Sequence, residues 1–338
     1  MIKVGINGYG VIGSRIADAI SLQKDMELVG VSKVHADYVA RHAKSKGIKL
    51  YTAGDKSEFT KKGIPIGGTF EDLLANVDVI ADCTPEGTGA KNKSLYEKYG
   101  CKAVWQGGEE HEVAGLSFNS YANYDSARRA RFLRVVSCNT TALIRTLYPL
   151  QSSFGIKEAR AVLIRRAADP SETKKGPINA LEPDENIPSH HGPDVQTVMP
   201  EIKIRTVAVK APTTLMHLHY VEVELDKEAS KEEILRAWEK HRRIAMFSFS
   251  DGVRGTAQIM DYARHMGRSR GDMYETAVWD NLSINDSTLS YFQAVHQEAD
   301  VIPENVDAVR AMLSPETSAL DSISLTDTSL HIGIGRTT

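Results

Sequence analysis

Over residues 1–105, short β-branched apolar runs alternate with longer amphipathic stretches. That rhythm predicts βαβ units and a parallel sheet. Strands are predicted over 4–6, 28–31, 77–81 and 103–105. Between the first two, Ile12, Ile16, Ala19 and Ile20 recur at helical spacing and form one apolar stripe that can pack on the sheet. A further strand over 132–136 leads into SCNTTALIRTLYPL, where Leu143, Leu147 and Leu150 resume a helical period.

The texture then changes. Long alternating segments over 159–164, 206–209, 215–225 and 290–295, with turn residues between them and few helices, predict a mostly antiparallel sheet with one face covered. The chain is therefore read as α/β in its first part and α+β in its second. The Pro-, Gly- and polar-rich stretch over 167–193 has little periodicity and is read as a functional loop. Near the end, IPENVDAVRAML predicts a helix begun by Pro303, with Val306 and Val309 on its apolar side. At 338 residues, the chain suits two domains of about 150 residues each.

Charge narrows the partners. The 41 Lys+Arg and 44 Asp+Glu are spread without blocks, so no nucleic-acid footprint is expected, and partners should be small molecules or further copies of the chain. No stretch approaches the roughly 18 apolar residues needed to span a bilayer, and a strand pattern stands where an export signal would. A protein of the cytoplasm with no membrane partner is expected. Cys83, Cys101 and Cys138 make an odd count with no CxxC pair, so neither a disulfide framework nor a metal site is expected.

Gly8-Tyr9-Gly10-Val11-Ile12-Gly13 follows a predicted strand and opens a predicted helix, the context a GxGxxG pattern needs. Gly8 permits the tight turn, Gly10 lets backbone approach a pyrophosphate, and Gly13 allows close packing of helix on strand. Free amides at the helix start face the anion. A Rossmann dinucleotide-binding domain is predicted. The acid that usually grips the adenosine ribose is missing, because the second strand ends in Ser32 and Lys33. Lys33 would attract a 2′-phosphate, so NADP is preferred and NAD is the alternative; a solvated surface lysine is the other reading.

The strongest chemical signal is Ser137-Cys138-Asn139 at a strand-to-helix junction. The positive field of the helix start is expected to lower the Cys138 pKa and aim its sulfur at a cleft. Cys83 and Cys101 lack that setting. LMHLHYVEVEL places His217 and His219 on one face of a period-2 strand, where either could take a proton from the thiol. Burying both without partners would be costly. His190 and His191 are neighbours in SHHGPD, too divergent in direction for a metal pair, and are read as anion or substrate contacts.

Nine segments in order, INGYGVIG, DCTPEG, WQGGEEH, VVSCNTT, RRAADP, KGPINA, PSHHGPD, PTTLMHLH and AVHQEADVIPEN, resemble the archaeal class of glyceraldehyde-3-phosphate dehydrogenase. The resemblance implies a dinucleotide-binding domain over 1–137, a catalytic domain over 138–301, a C-terminal helix within 302–338 that returns to the first domain, and a homotetramer. It implies Cys138 as nucleophile and His217 as general base, with His219 second. Ser137, Cys138, Asn139, His190 and His191 would touch the phosphorylated substrate. Val11, Ile12, Gly108, Arg166 and Gln297 would touch the cofactor. Other members of the wider family show SCTTN where this chain has SCNTT, and the missing acid after the second strand argues against strict NAD use.

The chemistry expected from this is oxidation of glyceraldehyde 3-phosphate through a Cys138 thioester that inorganic phosphate resolves to 1,3-bisphosphoglycerate. Arg166, Lys174, Lys175 and the His190-His191 pair are available for two phosphate groups. A semialdehyde or acyl-phosphate reductase of amino-acid biosynthesis shares the two-domain plan but leaves SHHGPD and HQEADVIPEN unexplained. An erythrose-4-phosphate dehydrogenase would hydrolyse the thioester instead. A cofactor-sensing protein without catalysis would have lost the cysteine or both strand histidines.

Overall fold

The β-branched runs of the N-terminal part pair into one all-parallel sheet. Its strands are β1 (Ile2–Asn7), β2 (Met26–Lys33), β3 (Leu50–Thr52), β4 (Gly68–Thr69), β5 (Val79–Asp82), β6 (Lys102–Trp105), β7 (Ser117–Phe118) and β8 (Phe132–Val135). The computed structural model describes residues 1–106, 108–169 and 176–333. Strand order is β4-β3-β2-β1-β5-β6-β8-β7. The order reverses between β1 and β5, and the carboxyl ends of strands at such a switch point form the ligand crevice of open α/β sheets.

Helices α1 (Val11–Ser21), α2 (Tyr38–Ser45), α3 (Lys56–Lys61), α4 (Phe70–Leu74), α5 (Thr88–Tyr99) and α6 (His111–Ala114) fill the connections. The predicted stripe on α1 is buried at Ile16, Ala19 and Ile20. At the crevice, buried polar groups tie neighbouring strands together. Ser32 Oγ donates to Asn7 Oδ1 at 2.6 Å, Asn7 Nδ2 donates to the Tyr96 hydroxyl at 3.0 Å, and that hydroxyl donates to Asp82. β3, β4 and β7 escape prediction because two or three residues carry no period.

The second part is built around α7 (Cys138–Phe154), which is buried on most sides along its first three turns. β9 (Ile156–Arg166), β10 (Glu182–Pro183), β11 (Ile204–Ala211), β12 (His217–Leu225), β13 (Ile244–Phe247), β14 (Thr276–Trp279) and β16 (Thr288–Val295) form a sheet ordered β10-β11-β9-β12-β16-β14-β13, with β15 (Ser283–Asn285) paired to β16. Five pairings are antiparallel, while β9 with β11 and β13 with β14 are parallel, so the sheet is mixed. Along β12, His217, His219, Val221, Val223 and Leu225 point inward, the face that meets α7. Helices α8 (His191–Gln196), α9 (Lys231–Glu239) and α10 (Thr256–His265) complete this part.

By its internal contacts the chain divides into Met1–Ser137 with Ile302–Leu330, and Cys138–Val301 with 331–333. The first unit thus includes two late helices, α11 (Ile302–Leu313) and α12 (Ala319–Ser329). Arg310 of α11 is fully buried, held by Asp25 at 2.7 Å, Asp307 at 3.3 Å and the Thr326 hydroxyl at 2.9 Å. α12 turns Ser322 and Thr326 toward that guanidinium, which erases the apolar period by which a helix is read from sequence.

Candidate active site

Cys138 is the first residue of α7 and half-buried, and the main-chain N–H of Asn139 hydrogen-bonds to its sulfur. The expectation of a lowered pKa is corrected. Burial pushes the thiol up to about 12, with the buried Asp300 carboxylate adding to the rise. The guanidiniums of Arg166 and Arg165 and the Asn139 amide oppose it without winning. A helix start contributes about half a charge, whereas desolvating a thiolate can shift a pKa by several units.

The two strand histidines are both buried on the inner face of β12, and both have partners. His217 Nδ1 accepts the main-chain N–H of Arg166 at 2.9 Å. The neutral ring therefore carries its proton on Nε2 and presents a donor there. Burial, then the neighbouring His219, Arg166 and Arg165, hold its pKa well below the usual range. Met216, just before it, sits at φ 64°, a left-handed conformation that L-residues hold only when the surroundings impose it. His219 has both ring nitrogens engaged, Nε2 to Asn139 Oδ1 at 2.9 Å and Nδ1 from Gln293 Nε2 at 3.0 Å. Burial, with Arg165, pushes it down to about 3.

His190 and His191 stack with centroids 4.0 Å apart yet differ in role. His191 is buried between Asn139 Nδ2 at 3.3 Å and Ser189 Oγ at 3.1 Å, and burial pushes its pKa down to about 2. His190 is exposed. Arg166 pairs with Asp169 and lies 3.8 Å from Glu298 Oε1. Glu298 in turn accepts from Gln297 Nε2 at 2.7 Å and lies 2.9 Å from His296 Nε2. Within the second unit the structure thus gathers Cys138, Asn139, His191, His217, His219 and Arg166, with Gln297 reached through Glu298. Lys174 and Lys175 lie outside the described residues.

In the first unit, Gly8 (φ 94°) turns against the exit of β5, where an added Cβ would meet the Cys83 carbonyl at 2.9 Å. At Gly13 an added Cβ would stand 2.0 Å from the Gly8 oxygen. Around Gly10 nothing lies within 4 Å of that position, and α1 starts there with no side-chain cap, beside exposed Val11 and half-buried Ile12. That arrangement fits a dinucleotide pyrophosphate. Gly108 has φ 89° with open space around it. Lys33 pairs with Asp37 at 2.9 Å and donates to the Tyr9 carbonyl at 3.3 Å. Asp37 also caps α2 through Ala40 N.

Arg165, Asp300 and Gln293 join the site without being predicted from the sequence. Gln293 was discoverable as the polar residue on the inward-facing, otherwise apolar positions of SYFQAV, whereas Arg165 and Asp300 gave no sign beyond being charged.

A family described as glyceraldehyde 3-phosphate dehydrogenase, C-terminal domain, matches residues 137–288. One described as dihydrodipicolinate reductase, N-terminus, matches residues 2–108. Proteins named glyceraldehyde-3-phosphate dehydrogenase align along nearly the whole chain. That of Methanococcoides burtonii is 50% identical, covering 98% of this chain and 99% of its own. That of Thermoplasma volcanium is 52% identical, covering 98% of each. That of Methanothermus fervidus is 50% identical, covering 98% and 99%. With half its residues shared over almost its full length, the chain belongs to the archaeal class of the glyceraldehyde-3-phosphate dehydrogenase family.

Proposed function

We propose that the protein is a phosphorylating oxidoreductase that converts glyceraldehyde 3-phosphate and inorganic phosphate to 1,3-bisphosphoglycerate, in glycolysis or its reverse. The observation that carries this reading is Cys138 at the start of α7, its sulfur facing the Asn139 N–H with Arg165 and Arg166 nearby. Residues 1–137 bind the cofactor, 138–301 carry the chemistry, and the helices within 302–330 belong with the first domain. Gly8, Gly10, Val11, Ile12, Gly13, Lys33 and Gly108 hold the dinucleotide, together with Arg166 and Gln297. When bound, the nicotinamide supplies a hydride acceptor.

Cys138 loses its proton and the thiolate attacks the carbonyl carbon, forming a C–S bond and an alkoxide. The Asn139 N–H and His217 Nε2–H are donors suited to that alkoxide. Loss of hydride leaves a thioester on Cys138. A phosphate oxygen then attacks the thioester carbon, the C–S bond breaks, and the phosphate proton returns to sulfur. One proton is released per turnover, the one first lost by the thiol. Ser137, Asn139, His190 and His191 bind the substrate, with exposed His190 open to a phosphate group.

NADP is preferred over NAD, supported by Lys33 at the end of β2 where a ribose-binding acid would stand. Asp37 competes for the same ammonium, so the preference is modest. A homotetramer is supported by apolar groups on the outer face of the second sheet, where Phe292 packs at a tilt against Tyr220 and stays 40% exposed. Three thiols without disulfides suit the reducing cytoplasm. The test is a spectrophotometric assay with glyceraldehyde 3-phosphate and each cofactor. Reduction that needs both Cys138 and phosphate supports the reading; reduction that survives Cys138→Ser overturns it.

A further inference from the structure

Asn139, next to the nucleophile, sits in the middle of a buried chain of hydrogen bonds that crosses the second unit. Tyr291 O–H donates to Thr146 Oγ1 at 2.9 Å, and Thr146 O–H donates to Gln293 Oε1 at 2.8 Å. Gln293 Nε2 donates to His219 Nδ1 at 3.0 Å, and His219 Nε2 donates to Asn139 Oδ1 at 2.9 Å. Asn139 Nδ2 then reaches His191 Nε2 at 3.3 Å, and His191 Nδ1 reaches Ser189 Oγ at 3.1 Å, 2.8 Å from Thr206 Oγ1. Every member is at most 2% exposed.

One direction follows from the hydrogen bonds of Thr206. Thr206 Oγ1 accepts the Gly192 N–H at 2.9 Å and donates to the Ser189 carbonyl at 3.0 Å. Ser189 must then donate to Thr206 and accept from His191, which sets His191 as the Nδ1–H tautomer. Carried back along the chain, the same rule orients the Asn139 amide, sets His219 as the Nε2–H tautomer and orients Gln293. Both ring nitrogens of His219 are thus engaged within the chain, Nδ1 as acceptor and Nε2 as donor. Its amide-like use of one donor and one acceptor is what the chain needs.

We propose that Gln293 is a positioning residue for the reaction: acting through His219, it holds the Asn139 side chain, and with it the Asn139 N–H that faces the Cys138 sulfur. The inference rests on Cys138 as the nucleophile. Cross-strand pairing of His219 with Gln293 on β12 and β16 makes the hold rigid, since both sit in the interior of the sheet. In a low-dielectric interior, a chain with one member missing leaves its neighbours without partners.

The test uses His219→Gln, His219→Leu and Gln293→Leu. Glutamine at 219 can accept from Gln293 and donate to Asn139; leucine can do neither, and neither side chain is a base. We expect His219→Gln to exceed His219→Leu and Gln293→Leu in kcat by at least about tenfold, the scale of one lost buried hydrogen bond, with KM for the cofactor unchanged. Equal kcat in His219→Gln and His219→Leu, or wild-type kcat in Gln293→Leu, overturns the proposal. A second reading needs no substrate: alkylation of Cys138 by iodoacetamide at pH 8 should slow in Gln293→Leu and keep its wild-type rate in His219→Gln. Mere loosening of the core would open the site and speed alkylation in Gln293→Leu, which contradicts positioning. If the wild type fails to oxidise the aldehyde phosphate while alkylation behaves as expected, the assigned reaction falls and the positioning role stands.

Discussion

The main-chain N–H of Arg166 donates to His217 Nδ1 across 2.9 Å, and this one bond decides which ring nitrogen can meet a substrate. With Nδ1 occupied, Nε2 carries the proton, so in the proposed reaction His217 would act as a donor to developing negative charge. His217→Ala should lower kcat by about 10²–10³-fold, the usual loss for one oxyanion donor, and His217→Gln should recover part of it by restoring an N–H near the Nε2 position. Kinetics of both variants decide the point. Equal losses in the two, with an acid limb near pH 6.5 that disappears in both, would instead mark a titrating base.

Among the three thiols, the order of reactivity follows from accessibility as well as charge. Burial raises Cys101 to about 11, nominally below Cys138, but Cys101 lies in an aromatic core with Tyr96 and Trp105. Cys83 is pushed well up by burial and by Asp82. Cys138 alone has two guanidiniums and a main-chain amide to stabilise a thiolate. Iodoacetate with peptide mapping should therefore label Cys138 first, and first labelling at Cys83 or Cys101 would contradict the assignment.

In the proposed reading, cofactor preference depends on how Lys33 divides itself between Asp37 and a 2′-phosphate. A charge-assisted contact is worth roughly 1.5–3 kcal/mol, and competition from Asp37 should leave the lower end, about tenfold in favour of NADP. Asp37→Asn keeps the α2 cap and removes the competing charge, so it should tighten NADP and leave NAD unchanged. Lys33→Ala should do the reverse to NADP. Michaelis constants for both cofactors in the three proteins test this, and constants that move together in Lys33→Ala would reduce Lys33 to a structural partner of Asp37.

Acid should destabilise the fold through its buried imidazoles. His191 and His219 are pushed down to about 2 and 3, and His217 well below its usual value, all chiefly by burial. Unfolded, each returns to about 6.5, so below that pH the unfolded chain binds more protons and the folded state loses ground. The loss approaches about 1.4 kcal/mol per histidine per pH unit between roughly pH 6.5 and pH 3. Denaturant midpoints at pH 7.5, 6.5 and 5.5 should fall in that order, and His219→Gln should flatten the decline. A midpoint that is constant or rises on acidification would show that these rings are protonated in the folded protein.

Much of this molecule is legible from periodicity and glycine spacing. The α1 stripe, the inward pair His217 and His219, and the Gly8-Gly10-Gly13 turn follow from local rules, because each needs only its own neighbours in sequence. What stayed hidden depends on distant partners. The thiol of Cys138 looks activated beside its helix start, but the burial and Asp300 that raise it come from the fold. Lys33 looks like a free cation until α2 brings Asp37 to it, and α12 is unreadable because its buried face is polar and matched to Arg310. His190 and His191 are adjacent in sequence, yet only folding places one in the interior and the other in solvent.

In the proposed reaction, oxidation leaves a thioester on Cys138 that only phosphate resolves efficiently. The most direct measurement mixes enzyme, NADP and glyceraldehyde 3-phosphate without phosphate, and follows reduced cofactor in a stopped-flow instrument. A burst of about one equivalent per active site, then near-arrest until phosphate restores turnover, with the acyl group mapped to Cys138, is the predicted result. Steady turnover without phosphate, or a burst that persists in Cys138→Ser, would contradict it.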